Sequence, residues 1–124
     1  MDFSKIKIDS KDPVYVQIST YVKKQILNGN IASGDELPSR RELAMMLEIN
    51  PNTVQKAYKL MESEGYVITF GNTGSTILIH EDLMFSMQNE FTKTLILDFV
   101  NSAKDINLSF KYVIDLISEA WEKV

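Results

Sequence analysis

Hydrophobic residues recur at helical spacing along the first part of the chain and predict three short helices. In the first helix, which Pro13 opens and Asn28-Gly29-Asn30 ends, the apolar positions are four residues apart. These positions are Val14, Ile18, Val22 and Ile26. The second helix starts at Ser39, because Ser39-Arg-Arg-Glu42 has the spacing of a capping box. Its apolar face consists of Leu43, Ala44 and Leu47.

The third helix has a start signal and a stop signal. Asn50 is a favourable N-cap, Pro51 suits the first helical position, and Gly65 suits the left-handed residue that follows a last turn. Ile49 and Val54 have the spacing of a hydrophobic staple across this cap.

Beyond Gly65 the period of the pattern changes from helix to strand. Tyr66–Phe70 and Thr76–Ile79 are rich in β-branched and aromatic residues, and they flank Gly71-Asn-Thr-Gly74, as in a β-hairpin. The expected fold class is therefore mainly α with a small β-hairpin (α+β). Three short helices followed by a hairpin predict a winged helix-turn-helix, which we assign to residues 1–79.

The third helix has two chemically different faces. One is an apolar stripe of Val54, Ala57, Tyr58 and Met61. The opposite face carries amides and ammonium groups, on Asn52, Gln55, Lys56 and Lys59. Amides can make paired hydrogen bonds to base edges, and lysines reach guanine or phosphate. A solvated surface with no ligand is the alternative interpretation of this face.

The short interval between the second and third helices favours a DNA-binding motif. In such motifs the first residues of the second helix of the pair enter the major groove. Here these residues are Asn50, Pro51, Asn52 and Gln55. Arg40 and Arg41 begin the preceding helix, where exposed amides and the helix dipole favour phosphate.

The distribution of charge agrees with a DNA-binding surface in the first part of the chain. The net charge is −4, which argues mildly against nucleic acid. Residues 1–79 have nine basic and nine acidic residues, however, whereas residues 80–124 have four and eight. The second segment therefore carries the whole excess of negative charge.

Residues 80–124 predict a two-helix C-terminal dimerisation tail, with a turn around Lys104–Leu108 and Ser109 as the second N-cap. The apolar positions expected at the interface are Met84, Met87, Phe91, Leu95, Phe99, Phe110, Val113, Ile114, Ile117 and Trp121. On the second helix the apolar surface is wider than the ~100° stripe that one neighbour covers. We therefore expect a homodimer.

Two other interpretations of the tail stay open. It could pack only on its own winged helix. Alternatively, an unknown small-molecule effector could bind between Met84, Met87, Phe91 and Trp121, since methionine and aromatic side chains accept lipophilic ligands.

Composition argues against an enzyme and a membrane protein. The chain has no cysteine and one histidine, so we expect no metal and no other cofactor. His80 precedes Glu81 and Asp82, but these acids suit a helix start. No signal peptide and no run of about 18 apolar residues is evident, so we expect a cytoplasmic protein that does not enter membranes.

Several motifs along residues 10–79 resemble the N-terminal domain of GntR-family bacterial transcription regulators. They include Pro13-Val-Tyr-Val-Gln-Ile18, Gly34-Asp-Glu-Leu-Pro-Ser39, Arg41-Glu-Leu-Ala44, Asn52-Thr-Val54 and Glu64-Gly65-Tyr66. The Asn50-Pro-Asn-Thr-Val54 form and the short tail are similar to the YtrA-like subfamily. This resemblance implies a repressor of an operon that includes ABC-transporter genes.

The resemblance also implies roles for single residues. Arg41 would contact the DNA backbone or bases, and Asn50, Asn52, Thr53 and Gln55 would occupy contact positions of the recognition helix. The hairpin tip, with Asn72 and Thr73, would correspond to the wing in the minor groove.

Two departures from the family pattern limit what can be carried over. Pro51 replaces an arginine found in many relatives, and it cannot hydrogen-bond guanine. The tip has no nearby lysine or arginine, so wing contacts should be weak or purely polar. A winged helix that binds a protein partner and no DNA is the alternative function.

Overall fold

The computed structural model describes residues 1–71 and 74–124, and it divides the chain into two compact units, residues 1–87 and 88–124. Its elements in chain order are α1 (Val14–Leu27), α2 (Arg40–Leu47), α3 (Pro51–Ser63), β1 (Val67–Thr69), β2 (Ser75–Ile77), α4 (Glu81–Asp105) and α5 (Phe110–Lys123). The expected fold class is confirmed: helices with one small antiparallel hairpin, arranged as a winged helix-turn-helix in the first unit. The helices of residues 1–71 and 74–124 include none with the length and hydropathy that a membrane span requires.

The helix starts follow from their capping residues. At α2 the backbone N–H of Glu42 donates to Ser39 Oγ at 3.1 Å, and Ser39 N–H donates to Glu42 Oε1 at 3.4 Å, which confirms the capping box. At α3 the N–H of Asn52 donates to Asn50 Oδ1 at 2.8 Å. Pro13, expected inside α1, precedes it instead, because its ψ of 140° is extended.

A tight turn joins α2 to α3. Glu48 takes up a left-handed conformation with φ of 54° and ends α2. The N–H of Ile49 then donates to the carbonyl of Ala44 at 3.1 Å. Two residues after Glu48, Asn50 already caps α3, so the two helices form the predicted helix-turn-helix.

The hairpin is shorter than predicted and has an additional neighbour. β1 and β2 are antiparallel, with Ile68 opposite Thr76 in the register. On its other side, β2 pairs with the segment that precedes α2. Leu37 N–H donates to the carbonyl of Ser75 at 2.9 Å, and Glu36 forms an antiparallel bridge with Thr76. This pairing attaches the hairpin to the residues that lead into α2.

The core of the first unit lies between α1, α2, α3, the hairpin and the start of α4. Its large, fully buried side chains include Ile18, Val22, Leu43, Val54, Tyr58, Met61, Tyr66 and Ile77. Phe3 also joins the core and stacks at a tilt on Tyr21, so the N-terminal segment covers one side of α1.

The first unit extends past residue 79, where we placed the end of the winged helix. Leu83 and Met84 pack against its core, and Met87 is buried within it. Met87 is therefore covered by its own chain as a core residue, and its expected place at a dimer interface stays a prediction. Met84 is half-buried in the same place.

The second unit consists of the rest of α4 and all of α5. Its turn has Asn107 at φ of 61°, and the N–H of Tyr112 donates to Ser109 Oγ at 3.2 Å, which confirms Ser109 as the cap of α5. None of residues 88–124, all of which are described, is buried. This unit therefore leaves its apolar side chains largely uncovered.

Candidate nucleic-acid interface

Helix α3 separates a buried face from a polar one, as the sequence predicts. Its buried residues are Val54, Ala57, Tyr58 and Met61. Asn52, Lys56 and Lys59 are exposed, and Gln55 is half-buried beside them. The buried stripe fixes the helix to the core, so the amide and the two ammonium groups face solvent on a rigid support.

The residues at the start of α3 differ in how free they are to contact a ligand. Pro51 and Asn52 are exposed, whereas Thr53 is half-buried. Asn50 is exposed, but its Oδ1 atom already accepts the N–H of Asn52. Its side-chain oxygen therefore caps the helix, and its side-chain NH₂ is the group that could reach DNA.

Arg40 and Arg41 have different environments, which the sequence did not distinguish. The guanidinium of Arg40 lies 5.1 Å from the ring centre of Tyr58, and it is 3.7 Å from Glu62 Oε1. Arg41 is exposed at the start of α2. Arg40 thus helps to hold α2 on α3, and Arg41 is the arginine available for a phosphate.

Tyr58 is the anchor beneath these arginines. Its hydroxyl donates to the carbonyl of Pro38, in the segment before α2. Burial raises the pKa of Tyr58, while the charge of Arg40 acts in the opposite direction. The hydroxyl therefore remains protonated and keeps donating this hydrogen bond.

Glu62 connects α3 to the hairpin as well as to α2. Its Oε1 atom accepts from Thr69 Oγ1 at 2.6 Å, and Thr69 Oγ1 lies 2.7 Å from Ser75 Oγ on the second strand. The base of the hairpin is therefore tied to the helix that carries the candidate contacts.

A shallow cavity of about 520 Å³ separates the start of α2 from the hairpin. Ser39, Arg40 and Arg41 line one side, and Gly71 and Gly74 line the other. Asn72 and Thr73, the predicted wing contacts, lie outside the described residues. Its lining includes the basic groups of Arg40 and Arg41 and also the carboxylates of Glu36 and Glu42.

A second, more apolar concavity of about 340 Å³ lies beside the start of α3. Its lining residues are Arg41, Ala44, Met45, Ile49 and Pro51. Met45 was not among the predicted site residues. The sequence gives one signal for Met45: it is an apolar residue of α2 that lies outside the face formed by Leu43, Ala44 and Leu47.

His80 lies directly before α4, and its side chain forms a hydrogen bond at the start of that helix. No group of three or more His, Cys, Asp or Glu side chains capable of holding a metal ion occurs among residues 1–71 and 74–124. The Nδ1 atom of His80 instead accepts from Leu83 N–H at 3.3 Å, and Glu81 and Asp82 lie in the first turn of α4. These residues stabilise a helix start.

The residues predicted for a dimer interface belong to different units. Met84 and Met87 are in the first unit, and the remaining eight are in the second. The proposed effector residues Met87 and Trp121 are likewise in different units. Within the second unit, the large apolar side chains of Phe110, Trp121 and Leu95 are 81%, 79% and 71% exposed.

The fold and the polar face of α3 define a winged helix-turn-helix protein. Residues 14–77 match the family of bacterial regulatory proteins known as the gntR family. The chain belongs to the GntR family, and the relatives and solved structures that it resembles are named transcription regulators.

Individual relatives support this assignment. An uncharacterised HTH-type transcriptional regulator of Bacillus subtilis, YhcF, is 30% identical over 103 residues, covering 83% of this chain and 85% of YhcF. The transcriptional repressor YtrA of the same organism is 47% identical over 74 residues, or 58% of this chain and 57% of YtrA. A GntR-family regulator structure from Listeria monocytogenes has a TM-score of 0.81 at 29% identity, covering 90% of this chain and 98% of that one.

Proposed function

We propose that this regulator is a homodimeric repressor that binds a pseudo-palindromic operator in double-stranded DNA. The observation that carries the proposal is the exposure of Asn52, Lys56 and Lys59 on α3, opposite the buried stripe that fixes this helix. A rigid helix with amides near its N-terminus has the geometry of a helix that enters the major groove.

The proposed contacts fall into two kinds. Asn52 and Gln55 would specify bases, because their amides can donate and accept at one base edge. Arg41, Lys56 and Lys59 would bind mainly phosphate, which positions the protein and makes binding depend on salt. Thr53 and the NH₂ group of Asn50 would add polar contacts, and Arg40 would support Arg41 from its place on Tyr58.

The second unit would form the dimer. It contains 37 residues, none of them buried, and it exposes large apolar side chains on both of its helices. A unit of this size cannot form a sufficient core alone, and a second copy supplies the missing cover. The proposed interface consists of Phe91, Leu95, Phe99, Phe110, Val113, Ile114, Ile117 and Trp121.

The repressor role rests on similarity. The relative YtrA is named a transcriptional repressor, and the matched segment includes more than half of this chain. The YtrA-like motif implies that the regulated operon includes ABC-transporter genes. A regulator of bacterial operons acts on the chromosome, so we place the protein in the cytoplasm.

Selection from random duplexes tests the proposal. The full chain should enrich a sequence with two inverted half-sites whose centres are separated by whole helical turns, each roughly 10.5 base pairs. Asn52→Ala or Gln55→Ala should then relax the preference at one or two base pairs by ~1–3 kcal/mol per contact. Failure to enrich any sequence would contradict the proposal and favour a module that binds a protein partner.

A further inference from the structure

The apolar concavity at the start of α3 offers a contact that the amides and lysines cannot make. Met45 and Ile49 form its apolar part together with Ala44 and Pro51. Met45 is 78% exposed, so a flexible thioether side chain lies at the surface beside the first turn of the recognition helix. Such side chains adapt to irregular apolar shapes.

The position of the concavity indicates what it faces. Arg41 is one of its lining residues, and Pro51 is the first residue of α3. Both belong to the proposed DNA-binding surface, so a duplex that contacts Arg41 and the start of α3 also passes over Met45. The concavity is therefore continuous with that surface.

The chemistry of its lining selects one kind of base edge. Proline has no backbone N–H and no polar side-chain group, so Pro51 cannot hydrogen-bond a base through its side chain or amide. In the major groove the C5-methyl group of thymine is the apolar feature that distinguishes base pairs. Pro51 and Met45 suit this methyl group and give no hydrogen bond to guanine or cytosine.

We propose that Pro51 and Met45 bind the C5-methyl group of one thymine in each half-site and so determine the base preference at that position. This inference rests on the proposed DNA-binding function. Burial of one methyl group corresponds to about a fourfold change in affinity. The preference arises without any hydrogen bond.

Deoxyuridine tests this directly, because it differs from thymidine only by lacking the methyl group. The duplex enriched by the full wild-type chain is prepared with each thymine of one half-site replaced in turn by deoxyuridine. Fluorescence anisotropy then gives Kd for each duplex. One replacement near the position of Pro51 should weaken wild-type binding by about fourfold, with smaller effects elsewhere.

Variants of the protein assign that effect to the two residues. In Met45→Ala and Pro51→Ala the ratio of Kd values between the deoxyuridine and thymidine duplexes should fall towards one. Met46→Ala is the matched control, since Met46 is also exposed on α2 but does not line the concavity. It should keep the fourfold ratio.

The outcomes separate this inference from the function on which it rests. If no duplex is enriched, DNA binding itself is wrong. If a duplex binds but no deoxyuridine replacement changes Kd, or if Met45→Ala and Pro51→Ala both keep the fourfold ratio, the thymine contact is wrong while DNA binding stands.

Discussion

The ammonium group of Lys23 on α1 lies 2.5 Å from Oε2 of Glu64, the residue that ends α3. Ser19 Oγ, one turn before Lys23, lies 3.2 Å from Glu64 Oε1 and 2.6 Å from the hydroxyl of Tyr66. The side chain of Lys23 is 8% exposed and that of Glu64 is 30% exposed. This network fixes the C-terminal end of the recognition helix against α1.

Separate substitutions of Glu64 and Lys23 should lower the free energy of unfolding by different amounts. Glu64→Ala takes the carboxylate away from a buried ammonium group, and we expect it to lower the free energy of unfolding by about 2–3 kcal/mol. Lys23→Met should cost about 1 kcal/mol, because Glu64 reaches solvent and the methionine fills the space. Urea unfolding measures both values. Equal losses would contradict this account of the network.

The neighbouring arginines should separate stability from DNA binding. Arg40→Ala removes a cation from the face of Tyr58 and should lower the free energy of unfolding by about 1 kcal/mol. Arg41→Ala should leave stability within about 0.5 kcal/mol. It should instead weaken binding to all duplexes and reduce the salt slope by about one.

Anisotropy titrations at several salt concentrations, together with urea unfolding, check both arginine variants. Lys24→Ala, an exposed lysine on α1, serves as a control for the loss of one positive charge. An Arg41 variant with an unchanged salt slope would mean that this side chain does not contact phosphate.

Arg40 and Arg41 also show which features of the site the sequence cannot predict. The stripe of Val54, Ala57 and Tyr58 could be predicted because helical periodicity is local, and the Ser39 capping box involves residues three apart. Arg40 and Arg41 have the same local signal. Which one turns inward depends on Tyr58 and Glu62, about 20 residues away, and only the packing of α2 on α3 settles it.

The residue at which the first unit ends could not be predicted from the sequence either, because it also depends on packing between distant parts of the chain. Met84, Met87 and Phe91 follow one helical spacing, so the pattern assigns them to one surface. In the structure Met87 belongs to the core of the first unit, whereas Phe91 belongs to the second unit. A single continuous helix, α4, thus contributes to both units, and periodicity alone cannot place the division.

Asn50 combines a structural role with a proposed contact, and two substitutions separate them. Asn50→Ala removes the cap and should lower the free energy of unfolding by ~1 kcal/mol, whereas Asn50→Ser keeps an oxygen acceptor and should change it by only a few tenths. Both variants lack the NH₂ group, so both should bind the selected duplex more weakly. If Asn50→Ser binds the selected duplex with wild-type affinity, Asn50 caps the helix and does not contact DNA.

The exposed aromatic end of α5 should contribute strongly to dimerisation. Trp121 lines a concavity of about 470 Å³ with Ile117, Ala120 and Val124. If a second copy fills it, Trp121→Ala should weaken the dimer by about 2 kcal/mol, or roughly 30-fold in the dissociation constant. Sedimentation equilibrium measures this change. Glu122→Ala, at an exposed neighbouring position, should leave the constant nearly unchanged.

The stoichiometry of the DNA complex tests the central claim most directly. Sedimentation velocity of the full chain at micromolar concentration, alone and with the selected duplex, gives the mass of each species. The account predicts a dimer in free solution and two chains on each duplex, one for each half-site. A monomer that binds one chain per duplex, or a chain that binds no duplex, would contradict it.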